Sequence, residues 1–119
     1  MLRNHLIPKN CDEWCVNASI INRAYYSSYQ YCLLWLKEIK KFEPKHPWEF
    51  KKNERKDGEH KQVRDALFDF GEEKTKTELT KLSKLRKKAD YNPSAEISKK
   101  EVDDAINHME KIFKQLKFE

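Results

Sequence analysis

One stripe of apolar residues dominates the first third of the chain. From about Cys11 to Lys41, apolar side chains recur at steps of three and four residues, the spacing that brings them to one face of an α-helix. The stripe comprises Trp14, Ala18, Ile21, Tyr25, Tyr29, Cys32, Leu36 and Ile39. It predicts a single helix of about 30 residues, roughly 45 Å long. Pro44 and Pro47 forbid its continuation.

Three more segments show the same helical period, and none shows convincing strand alternation. The predicted helices run from Asp57 or Gly58 to Phe70, from Thr75 to the Asn92-Pro93 pair, and from Ser98 to Leu116. Gly71 is a natural C-terminal cap for the first of these. The candidate capping boxes, in which a polar residue precedes a glutamate by three positions, are Asn10–Glu13, Thr75–Glu78 and Ser98–Glu101.

The scarcity of chain breakers sets the fold class. Only two glycines and four prolines occur in 119 residues, whereas a β-sandwich or barrel needs turn residues about every ten positions. The length suits one domain. We therefore predict an all-α fold, a single domain over residues 1–119 built as a bundle of four main helices with one long N-terminal helix.

Charge is unevenly distributed along the chain. The formal net charge is +5, which permits a nucleic-acid partner without demanding one. Between Lys74 and Lys88 there are seven basic residues and one acid, whereas residues 57–73 hold six acids and two bases. The basic third helix could follow a phosphate backbone, or its lysines could simply solvate an exposed face.

Neither a secretory signal nor a membrane span is expected, because no apolar run follows the N-terminus and none approaches the roughly 18 residues that a span needs. We expect a cytoplasmic protein that does not bind membranes. Its cysteines, Cys11, Cys15 and Cys32, are expected to be reduced structural thiols. A zinc site would need two further ligands at suitable spacing, and none is evident. No metal and no cofactor are predicted.

Three short segments are similar to those of a known family. They are Arg23-Ala24-Tyr25-Tyr26, the Gly-x-His-x-x-Val segment from Gly58 to Val63, and Arg86-Lys87-Lys88-Ala89-Asp90-Tyr91. Their order and spacing resemble the HEPN superfamily, and more narrowly the small stand-alone HEPN proteins that pair with minimal nucleotidyltransferases in toxin–antitoxin and defence systems. The resemblance extends from about Asn10 to Leu116.

The resemblance implies a helical bundle that forms a homodimer and acts on RNA. Many members are metal-independent ribonucleases with an Arg-x(4–6)-His motif, in which the arginine neutralises the scissile phosphate and the histidine moves the 2′-hydroxyl proton. This sequence departs from the motif, because no histidine follows Arg86 at the required spacing: Asp90 is followed by Tyr91, Asn92 and Pro93. Only Arg86 therefore transfers as a site residue, and ribonuclease activity is left open.

The candidate catalytic residues are Arg86, Asp90 and His60. Asp90 lies in the neighbourhood of the missing motif histidine, but a carboxylate beside RNA phosphate is electrostatically repelled. His60 has a side chain suited to proton transfer near neutral pH. Its simpler interpretation is a helix-start histidine that bonds to the backbone or to Asp90. The candidate RNA-binding residues are Arg23, Lys84, Lys87 and Lys88, and the candidate structural aromatics are Tyr25, Tyr26 and Tyr91. His5, His46 and His108 are expected to be solvated.

We expect Arg23, His60, Arg86 and Asp90 to converge. Arg23 adjoins the apolar stripe and so needs a partner, and Asp90 can accept a forked arginine, either Arg23 or Arg86. Tyr91 would close the helix end. The simpler alternative is an intrahelical Arg86–Asp90 pair at positions i and i+4.

Three functions remain open. The protein could be a toxin-like ribonuclease whose two Arg86 sites face a shared cleft in a homodimer. It could be a non-catalytic module that binds RNA, nucleotide or a partner protein, or a purely structural subunit of a defence assembly or of a complex with a nucleotidyltransferase-type antitoxin. The missing histidine favours the second and third, and the basic third helix favours the first and second.

Overall fold

The computed structural model describes residues 9–91 and 97–118, and among their side chains it omits those of residues 9–12 and of Tyr91. These residues form four α-helices and no strand: α1, Lys9–Ile39; α2, Glu59–Asp69; α3, Glu73–Tyr91; and α4, Lys99–Gln115. A short 3-10 turn, Pro47–Glu49, lies in the connection between α1 and α2. The predicted all-α bundle with one long helix is therefore confirmed.

Helix α1 is the spine against which the other helices pack. Its apolar stripe supplies the centre of the core, and Ile21, Tyr25, Tyr29, Cys32 and Leu36 are each at most 2% exposed. Helices α2, α3 and α4 all contact it, and α3 also contacts α2 and α4. The molecule is flat, with extents of 51 × 36 × 22 Å, so α1 keeps one face toward solvent over most of its length.

Two of the helix-end predictions are confirmed. Ser98 caps α4: its Oγ accepts a hydrogen bond from the Glu101 N–H at 3.2 Å, and Glu101 Oε1 accepts one from the Ser98 N–H at 3.1 Å. Gly71 follows α2 with φ of 84°, a conformation that glycine adopts without strain. The Asn10 side chain and the Asn92-Pro93 pair lie outside the described residues, although the helix is already formed at Lys9.

The Thr75–Glu78 capping box was wrong, because α3 begins two residues earlier, at Glu73. Thr75 lies inside the helix, fully buried, and its Oγ1 donates to Gln115 Oε1 of α4 at 2.7 Å. Glu78 instead accepts from His108 Nδ1 at 2.7 Å. The last turns of α4 cover the first turns of α3, so these side chains bond to the neighbouring helix rather than to their own backbone.

His108 is therefore not solvated as expected. Its side chain is 16% exposed, and its pairing with Glu78 joins the middle of α4 to the first half of α3. His46 is exposed and stacks on Trp48, with 4.4 Å between ring centroids. His5 lies outside the described residues.

Candidate functional site

Six side chains from three helices meet on one side of the bundle. We call them the Arg86–His60 cluster: Tyr25, Tyr26 and Tyr29 of α1, His60 of α2, and Arg86 and Asp90 of α3. The helical period of α1 turns Tyr25 and Tyr29 into the core and leaves Tyr26 on the surface, 40% exposed. Of the three tyrosine rings in the cluster, that of Tyr26 therefore reaches solvent, and the other two lie in the core.

Arg86 is held by one carboxylate and two aromatic rings. Its Nη1 donates to Asp90 Oδ2 at 3.1 Å, within the i, i+4 pair that the sequence predicts, and to the Tyr26 hydroxyl at 3.4 Å. Its Cζ lies 4.9 Å from the Tyr25 ring centroid and 5.6 Å from that of Tyr26, within the range of cation–π attraction. The side chain is only 11% exposed, so these contacts fix the guanidinium in place.

His60 lies beside the same tyrosines. Its Nδ1 is 2.5 Å from the Tyr25 hydroxyl, and its ring stacks on Tyr29 with centroids 4.1 Å apart and planes 14° apart. The Tyr29 hydroxyl donates to Glu59. His60 is thus bonded to a tyrosine, not to the backbone or to Asp90, and the Tyr25 ring contacts both His60 and Arg86.

Burial and positive neighbours keep His60 neutral. Desolvation lowers the pKa of His60 most, and the positive charges of Arg86, Arg64 and Lys87 lower it further, against an opposing effect of Glu59. Burial raises the pKa of the Tyr25 hydroxyl, which therefore stays protonated. Either Tyr25 donates to Nδ1 and His60 carries its proton on Nε2, or Nδ1–H donates to Tyr25 and Nε2 can accept a proton.

Asp90 meets Asn22 rather than Arg23. Asn22 Nδ2 donates to Asp90 Oδ1 at 3.0 Å, while the Arg23 side chain is exposed and makes no ion pair with a described residue. Of the two arginines expected as alternative partners of Asp90, Arg86 pairs with it and Arg23 does not. Arg23 lies about 100° further round α1 than Asn22 and stays hydrated, so it needs no partner. Arg23 and Asp90 do share the lining of a surface cavity of about 480 Å³.

The lysines of α3 divide into two groups. Lys84 and Lys87 are exposed, whereas Lys88 Nζ lies 2.7 Å from Glu101 Oε2 and joins α3 to the first turn of α4. Lys87 is close enough to His60 to lower its pKa. The exposed pair therefore extends the positive surface of the Arg86–His60 cluster, and Lys88 has a structural ion pair.

Sequence reasoning missed Asn22, Glu59 and Arg64 as members of this neighbourhood. Arg64 follows His60 by four residues, so the two share a face of α2. That spacing was a usable signal for Arg64. The Asn22–Asp90 and Tyr25–His60 contacts join residues 68 and 35 positions apart, and no local pattern indicates such pairings.

The two cysteine side chains that the structure describes differ in exposure. Cys32 is fully buried, which raises the pKa of its thiol to about 12 and makes it an unreactive core residue, whereas Cys15 is exposed. The side chains of Cys11 and Tyr91 lie outside the described ones. Among the described residues, no group of three His, Cys, Asp or Glu side chains could hold a metal ion, and no helix is long and apolar enough to cross a membrane.

Comparison with known proteins gives one match. A family model described as HEPN domain matches residues 45–118, which include α2, α3 and α4 with His60, Arg86 and Asp90 and leave out α1. No curated protein and no solved structure shows significant similarity to the chain.

Proposed function

This chain belongs to the HEPN family, and we propose that it acts on RNA by binding the phosphate backbone at the Arg86–His60 cluster. Membership of the family indicates a function connected with RNA, nuclease activity or defence. The observation that carries the proposal is the placement of an anchored Arg86 and a neutral His60 against one buried ring, that of Tyr25.

Charge around the cluster favours an anionic ligand. Arg86, Arg64 and Lys87 all act on His60, whereas the carboxylates beside the cluster are those of Glu59 and Asp90. The positive charges therefore exceed the negative ones where a phosphate would lie. The exposed Lys84 and Lys87 extend this surface along α3, and phosphate contacts of this kind supply sequence-independent affinity for RNA.

The exposed ring of Tyr26 supplies the second element of RNA recognition. It borders Arg86 and is 40% exposed, so an unpaired base can stack on it. If the bound strand is cleaved, His60 takes the 2′-hydroxyl proton in its Nδ1–H tautomer, and Arg86 neutralises the charge that develops on the phosphate. Arg86 is anchored before the strand arrives, so little reorganisation is needed.

The alternative is an interaction subunit that binds without cleaving, and one observation favours it. Asp90, which immediately precedes the positions where the motif histidine would fall, is bonded to both Arg86 and Asn22. These bonds make it the anchor of Arg86 rather than a base for the 2′-hydroxyl. In this form the same cluster binds RNA, nucleotide or a partner protein, and no bond is broken.

A homodimer through the outer face of α1 is part of the proposal. HEPN domains commonly dimerise. Between Glu13 and Lys37 the only charged residue is Arg23, although 38% of the whole chain is charged. The solvent side of this stretch carries a single charge, that of the exposed Arg23, and exposed apolar side chains, among them Val16 at 58% and Leu34 at 50%. We call it the outer stripe of α1. Tyr26 borders the stripe, so a second copy there would bring two Arg86–His60 clusters to a shared cleft.

The biological role follows from the resemblance. We propose a toxin or defence component in the cytoplasm, with a nucleotidyltransferase-type antitoxin or another defence protein as partner. The chain would act as a single domain over residues 1–119. Expression of the wild-type protein should arrest cell growth, and co-expression with a candidate antitoxin should relieve the arrest. A variant in which Arg86 is replaced should cause no arrest.

Binding to a fluorescent single-stranded RNA, followed by anisotropy, tests the proposal. Lys87→Ala should weaken binding, since it removes an exposed charge without touching the core, and it should reduce the salt dependence by about one phosphate contact. Arg86→Met should abolish binding. The matched control is Lys114→Ala, an equal charge change on the last turn of α4. Equal affinity for all four proteins would contradict the proposal.

The same samples separate cleavage from binding. With EDTA present, an intact RNA bound by the wild type supports the interaction subunit. RNA cut by the wild type but not by Arg86→Met or His60→Gln supports the ribonuclease. Circular dichroism of each variant checks that the helices are retained.

A further inference from the structure

A second pocket lies on the opposite side of α2 from the Arg86–His60 cluster. Its volume is about 320 Å³, and it lies between α2 and the connection from α1. Because successive helical residues turn by about 100°, Gln62, Asp65 and Asp69 face away from His60 and into this pocket. The two sites therefore use different faces of one helix.

Gln62 of α2 binds the backbone of the connection that forms one wall of the pocket. Gln62 Nε2 donates to the carbonyls of Lys45 and Asp57, each at 3.0 Å. Gln62 Oε1 accepts from the Lys45 N–H at 2.7 Å. These three hydrogen bonds hold both ends of the connection against the helix, so the pocket exists before any ligand binds.

Three phenylalanines, Phe42, Phe50 and Phe70, supply the apolar lining. The rings of Phe42 and Phe70 meet edge to face, with centroids 6.5 Å apart. Ammonium groups already lie against two of the three rings: Lys45 Nζ is 5.3 Å from the Phe50 centroid, and Lys40 Nζ is 5.7 Å from that of Phe70. The rings are thus placed where cations approach them, as the negative face of an aromatic ring favours.

Carboxylates complete the lining, and one of them is not neutralised. Asp57 and Asp65 share Lys61, at 3.4 and 2.6 Å. Lys45 has its own carboxylate in Glu54, at 3.8 Å. Within residues 9–91 and 97–118 no cation lies at ion-pair distance from Asp69. A negative charge therefore remains beside an aromatic pocket.

We propose that this pocket binds a primary ammonium group on an apolar stem. The methylene groups would pack on the phenylalanine rings, and the ammonium would lie between a ring face and Asp69, which combines cation–π and charge attraction. The same chemistry occurs in a free polyamine and in a lysine side chain of a partner protein. The pocket is separate from the RNA site, and this inference does not depend on the proposed function.

Titration of n-butylammonium into the ¹⁵N-labelled protein tests the pocket, with n-butanol as the neutral counterpart. The amides of Ala66 and Asp69 should shift saturably with the ammonium, with a Kd on the order of millimolar, and not with the alcohol. Asp69→Asn should weaken binding about five-fold or more. Asp103→Asn, the same charge change on the exposed side of α4, should leave binding unchanged.

Two further ligands distinguish the sources of the ammonium. Putrescine that binds about ten-fold tighter than butylammonium indicates a free polyamine, because its second ammonium finds another carboxylate. Nα-acetyl-lysine methylamide that binds as well as putrescine indicates a partner's lysine. The absence of saturable shifts, equal shifts with n-butanol, or equal weakening by the two aspartate variants would overturn the proposal.

Discussion

At the scale of single residues, a histidine and an arginine contact the same tyrosine ring. His60 bonds to the Tyr25 hydroxyl, and Arg86 lies over the same ring. A change in either side chain therefore alters the surroundings of the other. Two predictions follow from this arrangement, one on protonation and one on energetic coupling.

Protonation of His60 should oppose folding at mildly acidic pH. The pKa of His60 is lowered from its ordinary value of 6.5, so its contribution to stability is complete above that value and is lost as pH falls through the lower, folded-state pKa. The free energy of unfolding should therefore fall more steeply below pH 6.5 in the wild type than in His60→Gln.

In an NMR titration, Arg86→Met should raise the midpoint pH of the His60 titration, because the positive charge that lowers the pKa of His60 most is gone. An unchanged midpoint would refute the proximity of the two side chains.

The contacts of Asp90 predict coupling with Asn22 and Arg86, and none with Arg23. Asp90→Ala leaves the largely buried Arg86 without its carboxylate and should cost about 3 kcal/mol. In double-mutant cycles read from denaturant melts, Asp90 and Asn22 should show an interaction energy of about 0.5 kcal/mol or more, whereas Asp90 and Arg23 should be additive. Coupling to Arg23 of the same size would restore the pair that the sequence suggested.

At the scale of helices, the side chains that join α3 to α4 should contribute to the free energy of unfolding. Glu78 is 8% exposed and pairs with His108, and Thr75 bonds to Gln115. These residues lie far from the Arg86–His60 cluster along α3, so their loss should affect stability and leave the affinity for RNA intact.

The cap of α4 offers a matched pair of serine substitutions. Ser98→Ala removes the hydroxyl that accepts from the Glu101 N–H and should lower the free energy of unfolding by about 1 kcal/mol. Ser27→Ala, on the exposed face of α1, should change stability little or raise it slightly, since alanine favours the helix interior. Thermal or urea melts decide. Equal effects of the two substitutions would mean that the capping box does not contribute in solution.

The fold could be predicted from the sequence further than the contacts of the candidate site could. Periodic stripes predicted the four helices because burial of one helix face follows directly from the order of residues along the chain. The Arg86–Asp90 pair was predictable for the same reason, as its spacing is local. Asn22 and not Arg23 bonds to Asp90, because a step of one residue round α1 turns the side chain from α3 toward open solvent. The bonds of His60 and His108 depend on how helices cross, which no local spacing encodes.

At the scale of the whole molecule, the sparsely charged outer face of α1 is the feature that a monomer explains least well. In a chain in which 38% of residues are charged, exposed Val16 and Leu34 lie on a helix with a single charge between Glu13 and Lys37. Burying such a surface against a second copy would remove apolar area from water at about 25 cal/mol per Å². It would also bring two positive clusters close to one strand of RNA.

Leu34→Glu should convert the proposed dimer to a monomer, because it places a charge on the outer face of α1 without disturbing the core. Sedimentation velocity at tens of micromolar protein should show a dimer for the wild type and a monomer for the variant. The control is Asn107→Glu, which adds the same charge on the exposed face of α4 and should remain a dimer. A wild-type monomer would contradict the dimer and leave the RNA site of each copy to be tested alone.

The most direct test of RNA binding at the Arg86–His60 cluster is a titration of single-stranded RNA into the ¹⁵N-labelled protein. We predict that the perturbed amides concentrate around Tyr26 in α1, His60 and Arg64 in α2, and Ser83 to Asp90 in α3, and that Arg86→Met removes these changes. Changes confined to α4 or to the connection from α1 to α2, or no change at all, would contradict it.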